Sequence, residues 1–436
     1  MRVINQIIQQ VLRASDPRTL LLQKLSRHQN IFKAGPFQYN LTRYRHIYVV
    51  GAGKAAGTMA QVLEKILDDR IADGLVVVKY GSAVPVSSVR ILEAGHPVPD
   101  RNGMSGAKEI VSLVGQASEK DLVILLLSGG GSALMPLPVE GITLAQKQRT
   151  TQHLLKSGAR INEINVVRKH LSQIKGGKLL LHAVPANVLT LILSDVLKNP
   201  LDIIASGPTA PDPSTYAEAI QILKKYQLWY KLPEPVRWHL NQGQRGRVEE
   251  TPKPGDPVFK KVHHLIVGDN RVALKAAAQA ARTAGFKTYI LTAYLQGEAR
   301  EMAKAFGSIA HKLHKRNHRI STKICLLASG ETTVTVQGNG RGGRCQEFTL
   351  AAALEIAGLP RTVVAAFGTD GTDGPTDAAG AYADGMTIHR ATRRGLDPVK
   401  ALQHHNSFPF FKTMSQLIMT GPTGTNLNDL YLLLIN

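Results

Sequence analysis

Through about residue 230, short apolar runs alternate with longer stretches whose apolar positions recur every three or four residues, as expected of βα units on a parallel sheet. The runs predict strands over His46–Val50, Gly74–Lys79, Leu122–Leu127 and Val188–Leu193. Residues 3–14 (VINQIIQQVLRA) space their apolar positions like one face of a helix that Ser15 or Asp16 ends before Pro17. Another helix follows Gly141, with Ile142 and Thr143 at its start, and reaches toward Gly158. From 233 to 257 the chain is polar and rich in proline and glycine, which predicts a linker or surface loop. The alternation then restarts with HHLIVG, a helix over Arg271–Ala284, a strand over Thr288–Leu291, a helix over Glu298–Leu313 and a strand over Ile324–Ala328. Glu331–Gln337 (ETTVTVQ) adds the β-branched alternation of an extra, antiparallel strand.

At 436 residues the chain is long for one core and predicts two domains: 1–240, a linker or loop over 241–260, and 261–436. The 39 glycines and 5% aromatic content fit an α/β protein, whose strand-to-helix turns use glycine. Cys325 and Cys345 are the only cysteines, which excludes a disulfide framework and a cysteine-rich zinc site. The N-terminus lacks a signal-peptide core and no run approaches the ~20 apolar residues of a membrane span, so a cytoplasmic protein without membrane contact is expected. Net charge is +21, spread over several regions; residues 1–46 hold eight Lys/Arg against Asp16, and Lys147–His182 repeats the imbalance. Neither stretch interleaves bases with stacking aromatics or matches a nucleic-acid-binding motif, which argues against nucleic acid and leaves a solvated surface or attraction of small anions.

Candidate chemistry gathers at strand ends. Asp121–Leu127 empties into Ser128, Gly129, Gly130, Gly131 and Ser132, where glycines let backbone N–H groups approach an anion before a following helix. The turn has no Walker lysine, and a plain crossover without ligand is the alternative. A second turn, Gly51-Ala52-Gly53-Lys54, places an ammonium at a helix start, where it would reach the same anion or simply face solvent. The next strand ends in Lys79 and not in the acid that grips an NAD ribose. Asp195 ends an apolar strand where α/β sheets bind ligands; it would accept a proton from a hydroxyl, or cap a helix. Arg341 and Arg344 sit among four glycines in GNGRGGRCQE and suit bidentate contact with carboxylate or phosphate. Asp370, Asp373 and Asp377 are candidates for Mg²⁺ or are turn residues. His96, His170, His404 and His405 lack metal-ligand spacing and read as surface or capping residues.

Taken together, VVGAGKA, AGHPVPD, LLSGGGSALMPLPVEGIT, INEINVVRKHLSQIKGGKL, LSDV, IASGPTAPDPST, GETTVTV, GRGGRCQEF, GTDGTDGPTDAAGA and TGPTGTNLNDL resemble the class II glycerate 2-kinases, whose C-terminal part is called MOFRL. The resemblance spans nearly the whole chain. It implies an N-terminal Rossmann-like parallel sheet flanked by helices and a C-terminal α/β (MOFRL-type) domain with a mixed sheet, the MOFRL region covering about 322–430. It also implies an active site in the interdomain cleft, and transfer of the ATP γ-phosphoryl to the 2-hydroxyl of D-glycerate with Mg²⁺. Lys54, Asp195 and Arg344 match the family's catalytic positions, and phosphate or substrate contacts are expected from Gly51, Gly53, Ser128–Ser132 and Arg341. Cys345 stands where the family commonly has Asn, and Ser329 where it commonly has Gly. Members have also been labelled hydroxypyruvate reductases, which makes NAD(P)H-dependent reduction the alternative. A basic nucleic-acid-binding protein on an inactive kinase scaffold is the third hypothesis, and a monomer or homodimer is expected.

Overall fold

The predicted apolar runs become the strands of one unit, Leu20–Val267. The computed structural model describes residues 2–317 and 322–436. A small antiparallel sheet of β1 (Leu25–His28), β2 (Ile31–Ala34) and β3 (Phe37–Asn40) comes first. The main sheet contains β4 (His46–Ala52), β5 (Ile71–Lys79), β6 (Arg90–Ala94), β7 (Asp121–Leu127), β8 (Asn187–Leu193) and β9 (Val262–Gly268), in the spatial order β6-β5-β4-β7-β8-β9. From β6 to β8 the neighbours pair in parallel. Every residue of β7 is buried, as expected for a parallel strand covered on both faces. Strands β5 and β6 extend the sheet to one side of β4, while β7 and β8 extend it to the other. The order therefore reverses at β4/β7, and in open α/β sheets the crevice at the carboxyl ends beside such a reversal binds ligands.

Helices Leu144–Lys156, Ile161–His170, Tyr216–Lys225 and Glu234–Gln244 share a second core that includes Leu154, Ile164, Val167, Tyr216, Leu223 and Leu240. Thr143 opens the first of them through a capping box: the Gln146 N–H donates to its Oγ1 at 3.2 Å, and the Gln146 side chain accepts from the Thr143 N–H at 2.8 Å. The stretch predicted as a linker lies inside this unit. Pro235 falls in a first helical turn, where a missing N–H is harmless, and Val236, His239 and Leu240 then face inward. Farther on, buried Thr251 donates to Asp212 at 3.1 Å.

The other unit comprises Met1–Thr19 and Gly268–Asn436. The N-terminal helix Arg2–Ser15 buries Ile4, Ile7, Ile8 and Val11 against the alanine-rich helix Asn270–Thr283, so it packs with the C-terminal part and not with 20–240. Its sheet runs β10 (Lys287–Glu298), β11 (Ile324–Thr333), β15 (Asp429–Ile435), β12 (Thr362–Gly368), β13 (Gly380–Asp384) and β14 (Leu417–Ile418). Only β10/β11 are parallel, which makes it mixed. The extra strand predicted over Glu331–Gln337 is not separate: β11 runs unbroken to Thr333, and 334–337 are irregular. Gly330 allows this continuation, since a Cβ there would lie 2.1 Å from the Leu295 carbonyl oxygen on β10. Among the described residues no helix is long and apolar enough to cross a membrane.

Candidate active site

The turns after β4 and β7 are stitched together. The Lys54 N–H donates to the Gly129 carbonyl at 2.9 Å, and the Ala55 N–H donates to Ser128 Oγ at 3.0 Å. Gly53 makes the approach possible. Its φ is +146°, and a Cβ would fall 2.1 Å from Ser128 Oγ. Gly129 and Gly130 are equally confined: a Cβ on Gly129 would lie 2.2 Å from Asp195 Oδ2, and one on Gly130 2.8 Å from the His96 ring and 3.6 Å from Lys54 Cγ. Lys54 and Asp195, 141 positions apart in sequence, thus both meet the Gly129–Gly130 turn at the reversal of the sheet, Asp195 at Gly129 and Lys54 at both glycines.

The structure changes two details of this turn. The helix after it, Gly131–Leu134, is a single turn and offers no extended dipole. His96, expected at the surface or at a cap, faces Gly130 instead. Burial, with Lys54 and Lys79 nearby, pushes its imidazole down to about 4, so it is neutral at pH 7.

A cavity of about 340 Å³ within the Leu20–Val267 unit opens beside Gly129–Ser132. Ser132 Oγ lies 3.0 Å from Ser206 Oγ, which donates to Asn165 at 3.1 Å, and Lys175 Nζ donates to the Ser132 carbonyl at 2.9 Å. Ala205 and Ser206 both hold left-handed backbone, φ +50° and +61°, a strain that packing must sustain. Lys147, Arg168 and Lys175 line the same cavity. Sequence reasoning missed all three as site residues, and only the basic excess of Lys147–His182 pointed toward them.

The remaining candidates lie in the other unit. Arg344 opens the helix Arg344–Glu355 and grips Asp429 with Nε at 2.5 Å and Nη2 at 3.0 Å, while Nη1 reaches Glu331 at 2.9 Å. Burial disfavours its charge, but the two carboxylates outweigh burial and raise its pKa. Arg341 donates to the Pro375 carbonyl at 3.2 Å and stacks over Phe408 at 4.7 Å. The three aspartates lie in the connection between β12 and β13. Asp373 accepts from the Cys345 and Gln346 N–H groups at 3.0 and 2.8 Å, capping the Arg344 helix; burial nevertheless pushes its carboxyl up to about 7. Asp370 accepts from the Thr372 N–H at 3.1 Å, and Asp377 is exposed. Among the described residues no three His, Cys, Asp or Glu side chains group as metal ligands. Of the two departures, Ser329 donates to the Asp429 main-chain carbonyl at 2.8 Å, and Cys345 is wholly buried.

Comparison with known proteins gives the family. A family described as "Domain of unknown function (DUF4147)" matches residues 3–241, and the MOFRL family matches 324–429. Glycerate 2-kinase of Pyrococcus horikoshii is 43% identical over 433 residues, covering 99% of this chain and 96% of its own. A putative hydroxypyruvate reductase of Agrobacterium vitis is 43% identical over 389 residues, 89% of this chain and 86% of that one. The crystal structure of glycerate kinase from Thermotoga maritima matches with a TM-score of 0.87 at 39% identity, covering 100% of this chain and 99% of that chain. The chain belongs to the MOFRL family of class II glycerate 2-kinases.

Proposed function

We propose that the protein is an ATP-dependent D-glycerate 2-kinase, and the observation that carries this is the convergence of Lys54 and Asp195 on Gly129–Gly130 at the sheet reversal. Phosphoryl transfer asks a protein chiefly for positioning and for stabilisation of charge. Asp195 orients the 2-hydroxyl and accepts its proton as the oxygen attacks the γ-phosphorus and the bond to the departing ADP breaks. Lys54 neutralises charge on the transferring group. His96 supplies a neutral ring beside them, so the site gains no competing cation. Arg344 is the third proposed catalytic residue; to take a substrate anion it must exchange Asp429 or Glu331 for it. Mg²⁺ carried on the nucleotide phosphates would screen their charge, in keeping with its preference for phosphate and water ligands.

Hydroxypyruvate reduction is the second reading, favoured by the name of the Agrobacterium vitis relative. Against NADH as its cofactor, β5 ends in Lys79, which offers no carboxylate to an NAD ribose, although a cation there suits the 2′-phosphate of NADP. Assays with D-glycerate, Mg²⁺ and ATP, and separately with hydroxypyruvate and NAD(P)H, discriminate: ADP release in the first alone is expected. Lys54→Ala and Asp195→Asn should each lower kcat by roughly 10²–10⁴-fold with folding retained. Near-normal turnover in both folded variants overturns the assigned roles.

A further inference from the structure

Basic side chains in the Leu20–Val267 unit fall into two groups. Lys169 is buried but compensated, with Nζ 3.0 Å from Asp202 and 3.2 Å from Asp212. Its sequence neighbour Arg168 points instead toward the cavity, together with Lys147 and Lys175 from two other segments. None of these three forms an ion pair among the described residues. Lys147 Nζ is buried and has no hydrogen-bond partner among the described residues. Lys175 Nζ reaches only neutral acceptors, the Ser132 carbonyl at 2.9 Å and Ser132 Oγ at 3.2 Å. The charged groups acting on Lys147 are Lys175, Lys178 and Arg168, all cations, and together with burial they hold its pKa well below the ordinary lysine value. Burial, then Arg168, pushes Lys175 down to about 7. Removing three cations from water side by side without a counter-ion is unfavourable, and an anion bound among them restores the balance.

We propose that Lys147, Arg168 and Lys175 form a desolvated subsite for an anionic oxygen group, the carboxylate of the acceptor or a phosphate of the nucleotide. Ser132 joins this subsite to the Gly129–Gly130 turn, so an anion seated here lies along the same cavity as Asp195. The identity of the ligand rests on the kinase reading, whereas the subsite itself rests on the uncompensated cations.

The test uses the full chain and Lys147→Met, with Arg168→Met as a second variant on a different helix. Calorimetric titration with D-glycerate, ATP and inorganic phosphate is combined with thermal melting of the ligand-free protein. Lys147→Met should weaken one anion by about tenfold or more. Loss confined to D-glycerate identifies the carboxylate, and loss for ATP and inorganic phosphate identifies a phosphate. The ligand-free variant should melt above the wild type, because an uncompensated buried charge has gone; a purely structural lysine would give the opposite shift. Affinities within about twofold of wild type for all three ligands in both variants, or a lower melting temperature with unchanged binding, overturn the proposal. If the wild-type protein transfers no phosphate yet Lys147→Met still loses anion binding, the subsite stands and the kinase reading fails.

Discussion

Lys175 illustrates how a single residue links the cavity to stability. Its folded pKa lies near 7 and its unfolded value near 10.5, so between these limits the folded chain binds fewer protons than the unfolded one. Stability contributed at this position therefore rises as pH climbs from about 7 toward 10.5, and is lowest below 7, where the ammonium is buried charged beside Arg168 and Lys147. Denaturant unfolding of wild type and Lys175→Met should show the variant's advantage largest near pH 6 and shrinking toward pH 10; an advantage independent of pH contradicts the buried ammonium. The placement of Lys54 and Asp195 beside the glycine turn was legible in sequence because each follows an apolar run at a predicted strand end. Lys147, Arg168 and His96 were not, because their roles arise from burial among segments distant in sequence. Arg344 was legible as a cation in a glycine turn, but its carboxylate partner Asp429 lies 85 positions away, within TGPTGTNLNDL, and spacing alone does not pair the two.

Among the elements, β4, β5, β7 and β8 were read to within three residues at either end, whereas β6, β12, β13 and β15 were not read at all and β10 and β11 run well past their predicted ends. The β-branched run ETTVTVQ looks like a separate strand, yet its first three residues only extend β11, which Gly330 lets pass close to β10, and 334–337 are irregular. The Pro/Gly-rich stretch 233–257 reads as a linker or surface loop; its first part forms the helix Glu234–Gln244, which packs on the Tyr216–Lys225 helix, and 249–256 form no helix or strand. The glycine turns carry the sharper consequence. Gly53→Ala places a Cβ against Ser128 and requires a backbone that L-residues rarely adopt, so unfolding stability should fall by about 1–3 kcal/mol or more, with turnover lost as well. Gly141→Ala is the matched control: φ there is +78°, but nothing lies within 4 Å, so only the backbone term of about 1 kcal/mol applies and turnover should persist. Equal losses for both variants would show that close stitching of the two turns is unimportant.

For the whole molecule, the charge of +21 first raises nucleic acid as a partner. Part of that charge now has a location. Lys147, Arg168 and Lys175 face a cavity sized for a small molecule, not a duplex or a single strand. The two-domain α/β class and the two large sheets followed from periodicity and resemblance, but the packing of residues 2–15 in the C-terminal unit did not, since an amphipathic helix does not announce which apolar face will cover it. The central claim is chemical and is tested most directly by phosphorus NMR of the products formed from ATP, Mg²⁺ and D-glycerate. The account predicts ADP together with the phosphomonoester resonance of 2-phosphoglycerate, both absent with Asp195→Asn. Formation of 3-phosphoglycerate, or of no phosphoester while hydroxypyruvate is reduced by NAD(P)H, would contradict it.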